Sequence, residues 1–275
     1  MRRKKIIPFL LLFFTASVEA HDLFLKLDTY HLLPNSMAVV RLLNGTFQNS
    51  EGVVARERMR DISVLAPDLR KPFADSVKWR NQNQTTVMEF QTGGPGTYVV
   101  GVSTNPKEIS LKAAEFNDYL AHDGLPDILE TRKKDQDLDK DVRERYSKHV
   151  RAIFQVGLTL SDDYKRQLNY PVEIIPQLNP YSLHSGQTLP LLCTIEGGPL
   201  VNQFVIAGWE TTDGKLQTLS SRTNASGIVR FKLTAPGKWY VKLIYMRPIS
   251  DPGLDYESKW ATVTFEIRDK NLKKE

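Results

Sequence analysis

Between His21 and about Val102, hydrophobic and polar residues alternate in short runs separated by turn residues. "HDLFLKLDTY", residues 21–30, and "MAVVRLLNG", residues 37–45, have a period of two, and "TTVMEFQTGGPGTYVVGV", residues 85–102, holds two such runs around a Gly-Pro turn. Every second side chain of a strand points to the same face of its sheet, so this period is typical of half-buried strands. The pattern predicts an all-β region here.

The spacing of hydrophobic residues changes over residues 107–154. "SLKAAEFNDYLAHDGL", 110–125, and "DKDVRERYSKHVRAIF", 139–154, place their apolar residues three or four apart. In the second segment Val142, Tyr146, Val150 and Phe154 would fall near one face of a helix. We therefore predict a helical segment over about 107–154, with its two histidines exposed to solvent.

A second β region follows a proline-rich stretch, "NYPVEIIPQLNPYSLHSGQTLP", residues 169–190. Its predicted strands lie in "PLLCTIEGG", "FVIAGWE", "GIVRFKL", "KWYVKLIYM" and "WATVTFEI", and Asp213-Gly214 suits a hairpin turn. "GGPGTYVVGV" in the first region resembles "TAPGKWYVKL" in the second. The chain is thus predicted to be mainly β, with two β-sandwich domains of immunoglobulin or transthyretin type, 21–168 and 169–275, and the helical segment between them.

Residues 1–20 have the pattern of a signal peptide. A basic start, "MRRKK", precedes the apolar run "IIPFLLLFFTASV", and small residues stand before a cut after Ala20. Cleavage would lower the net charge from +5 to +2, because four basic residues and Glu19 leave with the leader. The mature chain is expected to be periplasmic or secreted, not embedded in a membrane, and without a nucleic-acid partner.

The candidate chemistry lies at the new N-terminus, which would be His21. The chain has no G-x-S-x-G, no H-E-x-x-H and no glycine-rich phosphate loop, and we expect it not to be an enzyme. An α-amine of pKa ~7.8 loses its proton near neutral pH far more readily than a lysine amine of pKa ~10.4. An N-terminal histidine can therefore offer a metal ion two nitrogens, its α-amine and its imidazole Nδ1.

The sequence also resembles a known family. Mature "HDLFLK", then "RERYSKHVRAIFQVG", "IPQLNPYSLHSGQTLPL", "TNASGIVRFKLTAPGKWYVKLIYM" and "YESKWATVTFEI" are together similar to the exported bacterial domain-of-unknown-function family 4198. Its members are often described as periplasmic components of nickel or cobalt uptake. The resemblance implies that His21 and Glu257 of the closing Glu-Ser-x-Trp element contribute to a metal site, whereas Tyr245 stands where relatives place a histidine.

Three functions follow from these residues. The leading one is a periplasmic protein that binds a divalent metal ion, nickel or cobalt with copper as a further choice, at His21, Glu257 and Tyr245, and passes it to a membrane transporter or receptor. The second is a structural or adhesion-type sandwich module without a metal. The third is a copper oxygenase built on a terminal-histidine brace.

Overall fold

The computed structural model describes residues 21–67, 77–211 and 213–269, and the predicted signal peptide, 1–20, lies outside them. The described chain is mainly β, as predicted. Its first strands are β1 (Asp22–Leu27), β2 (His31–Leu32), β3 (Met37–Gly45), β4 (Met59–Leu65), β5 (Lys78–Gln82), β6 (Thr85–Gln91), β7 (Gly96–Thr104) and β8 (Lys107–Leu111).

Two helices follow, and the remaining strands complete the fold. The helices are α1 (Ala113–His122) and α2 (Pro126–Lys134). After them come β9 (Val142–Val156), β10 (Val172–Pro176), β11 (Thr188–Ile195), β12 (Gly198–Pro199), β13 (Phe204–Glu210), β14 (Leu216–Arg222), β15 (Ile228–Lys232), β16 (Gly237–Pro248) and β17 (Tyr256–Ile267). No helix in the described ranges is long and apolar enough to cross a membrane.

The strands form one large sheet and two small ones. The central sheet has nine strands in the order β14-β13-β16-β17-β9-β7-β4, with β2 and β8 also paired to β9. The N-terminal sheet has the order β1-β3-β6-β5, and the C-terminal sheet joins β10, β11, β12 and β15. The pair of β9 and β17 and the short pair of β2 and β9 are parallel, whereas β7 and β8 are antiparallel to β9 and β16 is antiparallel to β17.

The two small sheets cover opposite faces of the central sheet. We call the side of the even-numbered residues of β9, β16 and β17 the even face, and the other side the odd face. The N-terminal sheet packs on even-face residues such as Ala152 and Phe154. The C-terminal sheet packs on odd-face residues such as Ile153, Val263 and Phe265. Two sandwiches therefore share the central sheet, and each buries a hydrophobic core of its own.

The helix predicted over residues 139–154 is wrong, because this segment is the strand β9. The four apolar residues that suggested a helix are spaced four apart, and four is also a multiple of the strand period of two. Between β7 and β17 the strand is covered on both faces, so even its charged residues are largely buried. His149, predicted to be exposed, is 3% exposed for this reason.

Only the middle of the predicted helical segment is helical in the described chain. Residues 107–111 form β8, and the helices end at Lys134. The helices cover even-face residues of β16 and β17, where Phe116 of α1 lies in one hydrophobic cluster with Ile244 and Trp260. The hairpin predicted at Asp213-Gly214 is present as the antiparallel pair of β13 and β14.

The division into domains 21–168 and 169–275 stays a prediction. The hydrogen bonds between β9 and β17 join the two predicted domains within a single sheet. This parallel pair extends from Glu144 beside Tyr256 to Ala152 beside Thr264.

Candidate functional site

A cavity of about 500 Å³ opens beside the first residue of β1 on the even face of the central sheet. Its wall combines β1, the chain that follows β3, and one face of α1. Besides two tyrosines, the ionisable residues that line it are two histidines and five carboxylates, namely His21, His122, Asp22, Glu51, Glu115, Asp118 and Asp123. Among the described residues, no lysine or arginine lines this space, which we call the His21 cavity.

The helix α1 supplies three of these groups because of their spacing. Glu115, Asp118 and His122 are three and four residues apart, which places them on the same face of a helix. Glu115 also accepts a hydrogen bond from the backbone N–H of Lys112 at 3.1 Å, which satisfies a free donor at the start of the helix. The opposite side of α1 buries Phe116 and Leu120. Because the apolar side of the helix packs against the protein, its acidic side faces the cavity.

His21 lies at the edge of β1, held from two sides. Its imidazole Nε2 is 3.5 Å from Oε2 of Glu51. Its backbone carbonyl accepts a hydrogen bond from the Nζ of Lys148 on β9. The Lys148 ammonium lies 4.7 Å from the centre of the Trp260 ring, a cation–π distance. The main chain of His21 is thus fixed to the central sheet while its side chain lines the cavity.

The tautomer of His122 follows from its contact with the helix. Its Nδ1 is 2.8 Å from the backbone carbonyl oxygen of Asp118. A carbonyl oxygen can only accept, so Nδ1 carries the proton. In the neutral ring Nε2 then holds a lone pair, and this is the state in which histidine binds metals.

Asp22 leaves one carboxylate oxygen without a partner at the wall of the cavity. Its Oδ2 is 2.5 Å from the Nζ of Lys242, which also contacts Asp123 at 3.0 Å. Burial opposes the charge of Lys242, but the two carboxylates outweigh it and raise the pKa of this lysine above its ordinary value. Oδ1 of Asp22 is buried and has no hydrogen-bond partner. A buried oxygen of this kind costs free energy unless a cation or donor satisfies it.

Two further ionisable groups are buried beneath the cavity. Burial raises the pKa of Glu144 to about 7, although Ser258 donates a hydrogen bond to its carboxylate. Burial likewise lowers the pKa of Lys148 to about 8. Tyr119 stacks on Trp260 at 5.6 Å between ring centres and closes this layer from the helix side. The residues beneath the cavity are therefore buried, and burial disfavours the charged forms of Glu144 and Lys148.

The substitution Glu144→Gln is expected to change how stability depends on pH. Between pH 4.5 and 7 the unfolded chain loses the Glu144 proton first, so stability falls as pH rises, by up to ~1.4 kcal/mol per pH unit. The variant should lack this contribution, and urea unfolding at several pH values measures it. His149, with its pKa lowered to about 3, contributes the opposite slope in both proteins, so their difference isolates Glu144.

Glu108→Gln, at an exposed carboxylate paired with Arg143, serves as the matched control and should keep the slope of the wild type. Parallel stability curves for wild type and Glu144→Gln would contradict the expected result.

The structure does not bring Glu257 and Tyr245 to His21. Tyr245 and Glu257 are on the odd face, whereas the Lys148 side chain that contacts His21 is on the even face. Glu257 is paired with Lys259 at 2.9 Å and with Arg247 at 3.0 Å, and it lines a different cavity. Within the described ranges, no three His, Cys, Asp or Glu side chains are already arranged around one point to hold a metal ion.

The sequence reasoning identified His21 but missed its neighbours. His122 and Glu51 line the cavity with it, while His31 packs against Tyr181 and His184 is exposed. The sequence did contain a signal for the residues of α1, because Glu115, Asp118 and His122 are spaced so that they share one face of a helix. The contribution of Glu51 depends on how β1 pairs with β3, which local spacing does not reveal.

The fold and cavity define a mainly β protein of two joined sandwiches with an acidic, histidine-containing pocket. The family model "Domain of unknown function (DUF4198)" matches residues 18–247, so the chain belongs to this family and the sequence resemblance is confirmed. No curated protein matches the chain significantly. Among solved structures, the D0-D1 domain of intimin is similar at 14% identity and a TM-score of 0.22, covering 89% of this chain and 97% of that one.

Proposed function

We propose that the chain is exported, is cleaved after Ala20, and binds a divalent transition-metal ion in the His21 cavity. One observation carries the proposal: two imidazoles and five carboxylates line a single cavity that, in the described part of the chain, no lysine or arginine lines. Lys242 offsets the negative charge of Asp22 and Asp123 from beneath the cavity. The negative charges of Glu51, Glu115 and Asp118 remain, and they favour the binding of a cation.

The donor set favours nickel, cobalt or copper over calcium or magnesium. Cleavage would give His21 a free α-amine beside its Nδ1, and His122 would add Nε2. Imidazole and amine nitrogens suit these transition metals, whereas calcium and magnesium require shells of oxygen. Glu51, whose Oε2 is 3.5 Å from His21 Nε2, would hold the imidazole through the nitrogen that does not bind the metal ion. The carbonyl contact of His21 with Lys148 would reduce the entropy lost when the chelate forms.

We further propose that the protein carries the metal ion as cargo and is not an enzyme. An open cavity at the edge of a sheet, with a side chain such as Glu51 that is 47% exposed, allows an ion to enter and leave. The receiving partner in this proposal is a membrane transporter or receptor of a nickel or cobalt uptake system. The leader-like pattern of residues 1–20 supports a periplasmic or secreted location.

Substitution of His122 tests whether this cavity is the site. His122→Gln in the mature chain should weaken binding of Ni²⁺, Co²⁺ and Cu²⁺ about tenfold, equivalent to about 1.4 kcal/mol, in calorimetric titrations. His184→Gln, at an exposed histidine outside the cavity, is the matched control and should bind as the wild type does. Equal affinities for the two variants, or no metal binding by the wild type, would refute the proposal.

A further inference from the structure

A second, larger cavity of about 680 Å³ lies on the odd face of the central sheet. Residues of β4, β7, β9 and β17 form one side of it, and the loop 167–171 with the turn after β11 forms the other. It includes Glu257 and His149 and none of the residues of the His21 cavity. The metal proposal assigns no role to this space.

A neutral histidine between two serines forms part of the cavity wall. His149 Nδ1 is 2.9 Å from the Ser103 hydroxyl, and its Nε2 is 3.0 Å from the Ser147 hydroxyl. One nitrogen of a neutral ring donates and the other accepts. One serine therefore keeps its own proton to donate elsewhere, and the other keeps free lone pairs. Both serines line the cavity, which thus offers a donor and an acceptor side by side.

The loop 167–171, which forms one wall of the cavity, is held in place by hydrogen bonds and close packing. The buried carboxylate of Glu173 accepts hydrogen bonds from the backbone N–H groups of Leu168 at 3.1 Å and Tyr170 at 3.2 Å. Gly101 of β7 makes room for the loop, since a Cβ there would lie 2.3 Å from Leu168 Cδ1 and 2.9 Å from the Tyr170 hydroxyl. The loop is therefore fixed in place before any ligand binds, which lowers the entropic cost of binding.

Four of the charged residues of this cavity are in ion pairs, with each other or with residues outside the lining. Lys259 pairs with Glu257, Arg145 pairs with Asp251 at 2.7 Å, and Glu173 pairs with Arg151. Asp61 accepts hydrogen bonds from Tyr170 at 2.7 Å and from Ser63 at 2.6 Å. The remaining charged residues of the lining, Arg60 and Glu196, are exposed and opposite in sign. Apart from Asp61, Arg60 and Glu196, the charged residues of the lining are in ion pairs, so a ligand with a strong net charge would find few counter-charges here.

We propose that this cavity binds a neutral saccharide of one or two rings. A sugar carries hydroxyl groups that both donate and accept, which matches the Ser103–His149–Ser147 arrangement and the paired carboxylates. Tyr170 adds an aromatic ring to the lining, against which the apolar side of a sugar ring can pack. The volume lies within the range of about 300–1,000 Å³ typical of small-molecule sites.

Ligand-observed NMR on the mature chain tests the proposal with D-glucose, D-galactose, N-acetyl-D-glucosamine, lactose and maltose. At least one should bind with a Kd on the order of 1 mM or tighter. Loss of a hydroxyl in Ser147→Ala or Tyr170→Phe should weaken it about tenfold. Ser226→Ala, at an exposed serine outside the cavity, should bind as the wild type does.

Three results would overturn the saccharide site: no binding of any of the five sugars, tighter binding of the anion D-galacturonate than of D-galactose, or unchanged binding by both hydroxyl variants while each remains folded by circular dichroism. His122→Gln should leave sugar binding unchanged, because its cavity is on the other face. Failure of the sugar site is thereby distinguishable from failure of the metal site.

Discussion

Retaining Ala20 in front of His21 is expected to weaken binding of Ni²⁺ and Cu²⁺ by about 100-fold, equivalent to about 2.7 kcal/mol. The extra residue converts the His21 α-amine into an amide nitrogen, which must lose a proton before it can bind a metal ion, and moves the free α-amine to Ala20. The imidazoles of His21 and His122 and the carboxylate of Glu51 stay in place, so weak binding should persist. Competition with a chelator of known affinity would measure the change for chains with and without Ala20.

The matched control carries one additional residue after Glu275, which leaves the N-terminus free. It should bind both ions as the mature chain does. The Cu²⁺ electron paramagnetic resonance spectrum provides a second readout, because conversion of the His21 α-amine to an amide should change the set of coordinated nitrogens. Equal affinities and identical spectra for the two N-termini would show that the α-amine is not a ligand.

The strands of the sandwiches could be predicted because their signal is local. β3 begins and ends at the residues of "MAVVRLLNG", and β7 and β16 both begin at the glycine of a Pro-Gly pair. β9 could not be predicted, since a spacing of four fits both a helix and a strand. What decides its structure is pairing with β17, more than 100 residues later in the chain.

Of the candidate site, only His21 could be predicted from the sequence, again because the signal for it is local. His21 follows from the chemistry of a free N-terminus, and this argument needs no fold. Glu257 and Tyr245 came from resemblance alone, and the parity of β16 and β17 puts both on the odd face of the sheet. His122 and Glu51 line the cavity with His21 because of how β1 and α1 pack on the central sheet, which is a long-range property of the fold.

Arg151→Met is expected to lower the free energy of unfolding by about 3 to 5 kcal/mol. Arg151 and Glu173 are 2% and 4% exposed and form an ion pair between the central sheet and the start of the C-terminal sheet. Burial lowers the pKa of Arg151, and the Glu173 carboxylate opposes that shift. Removing the guanidinium would leave a buried carboxylate without its counter-charge, which costs far more than the pair contributes. Urea unfolding measures the loss.

The double variant Arg151→Met/Glu173→Gln distinguishes two causes of the stability loss, the uncompensated charge of Glu173 and the lost packing of the Arg151 side chain. Glutamine is neutral, and its single side-chain oxygen can still accept one of the two N–H bonds, because Leu168 donates to Oε2 of Glu173 and Tyr170 to Oε1. The double variant should therefore recover part of the stability lost in Arg151→Met, because the buried charge is removed while one of the two N–H bonds is lost. Equal losses in both would assign the effect to packing. Hydrogen exchange at the Leu168 and Tyr170 amides should speed up in the single variant if the charge is responsible, because Glu173 would then turn toward water and release the loop.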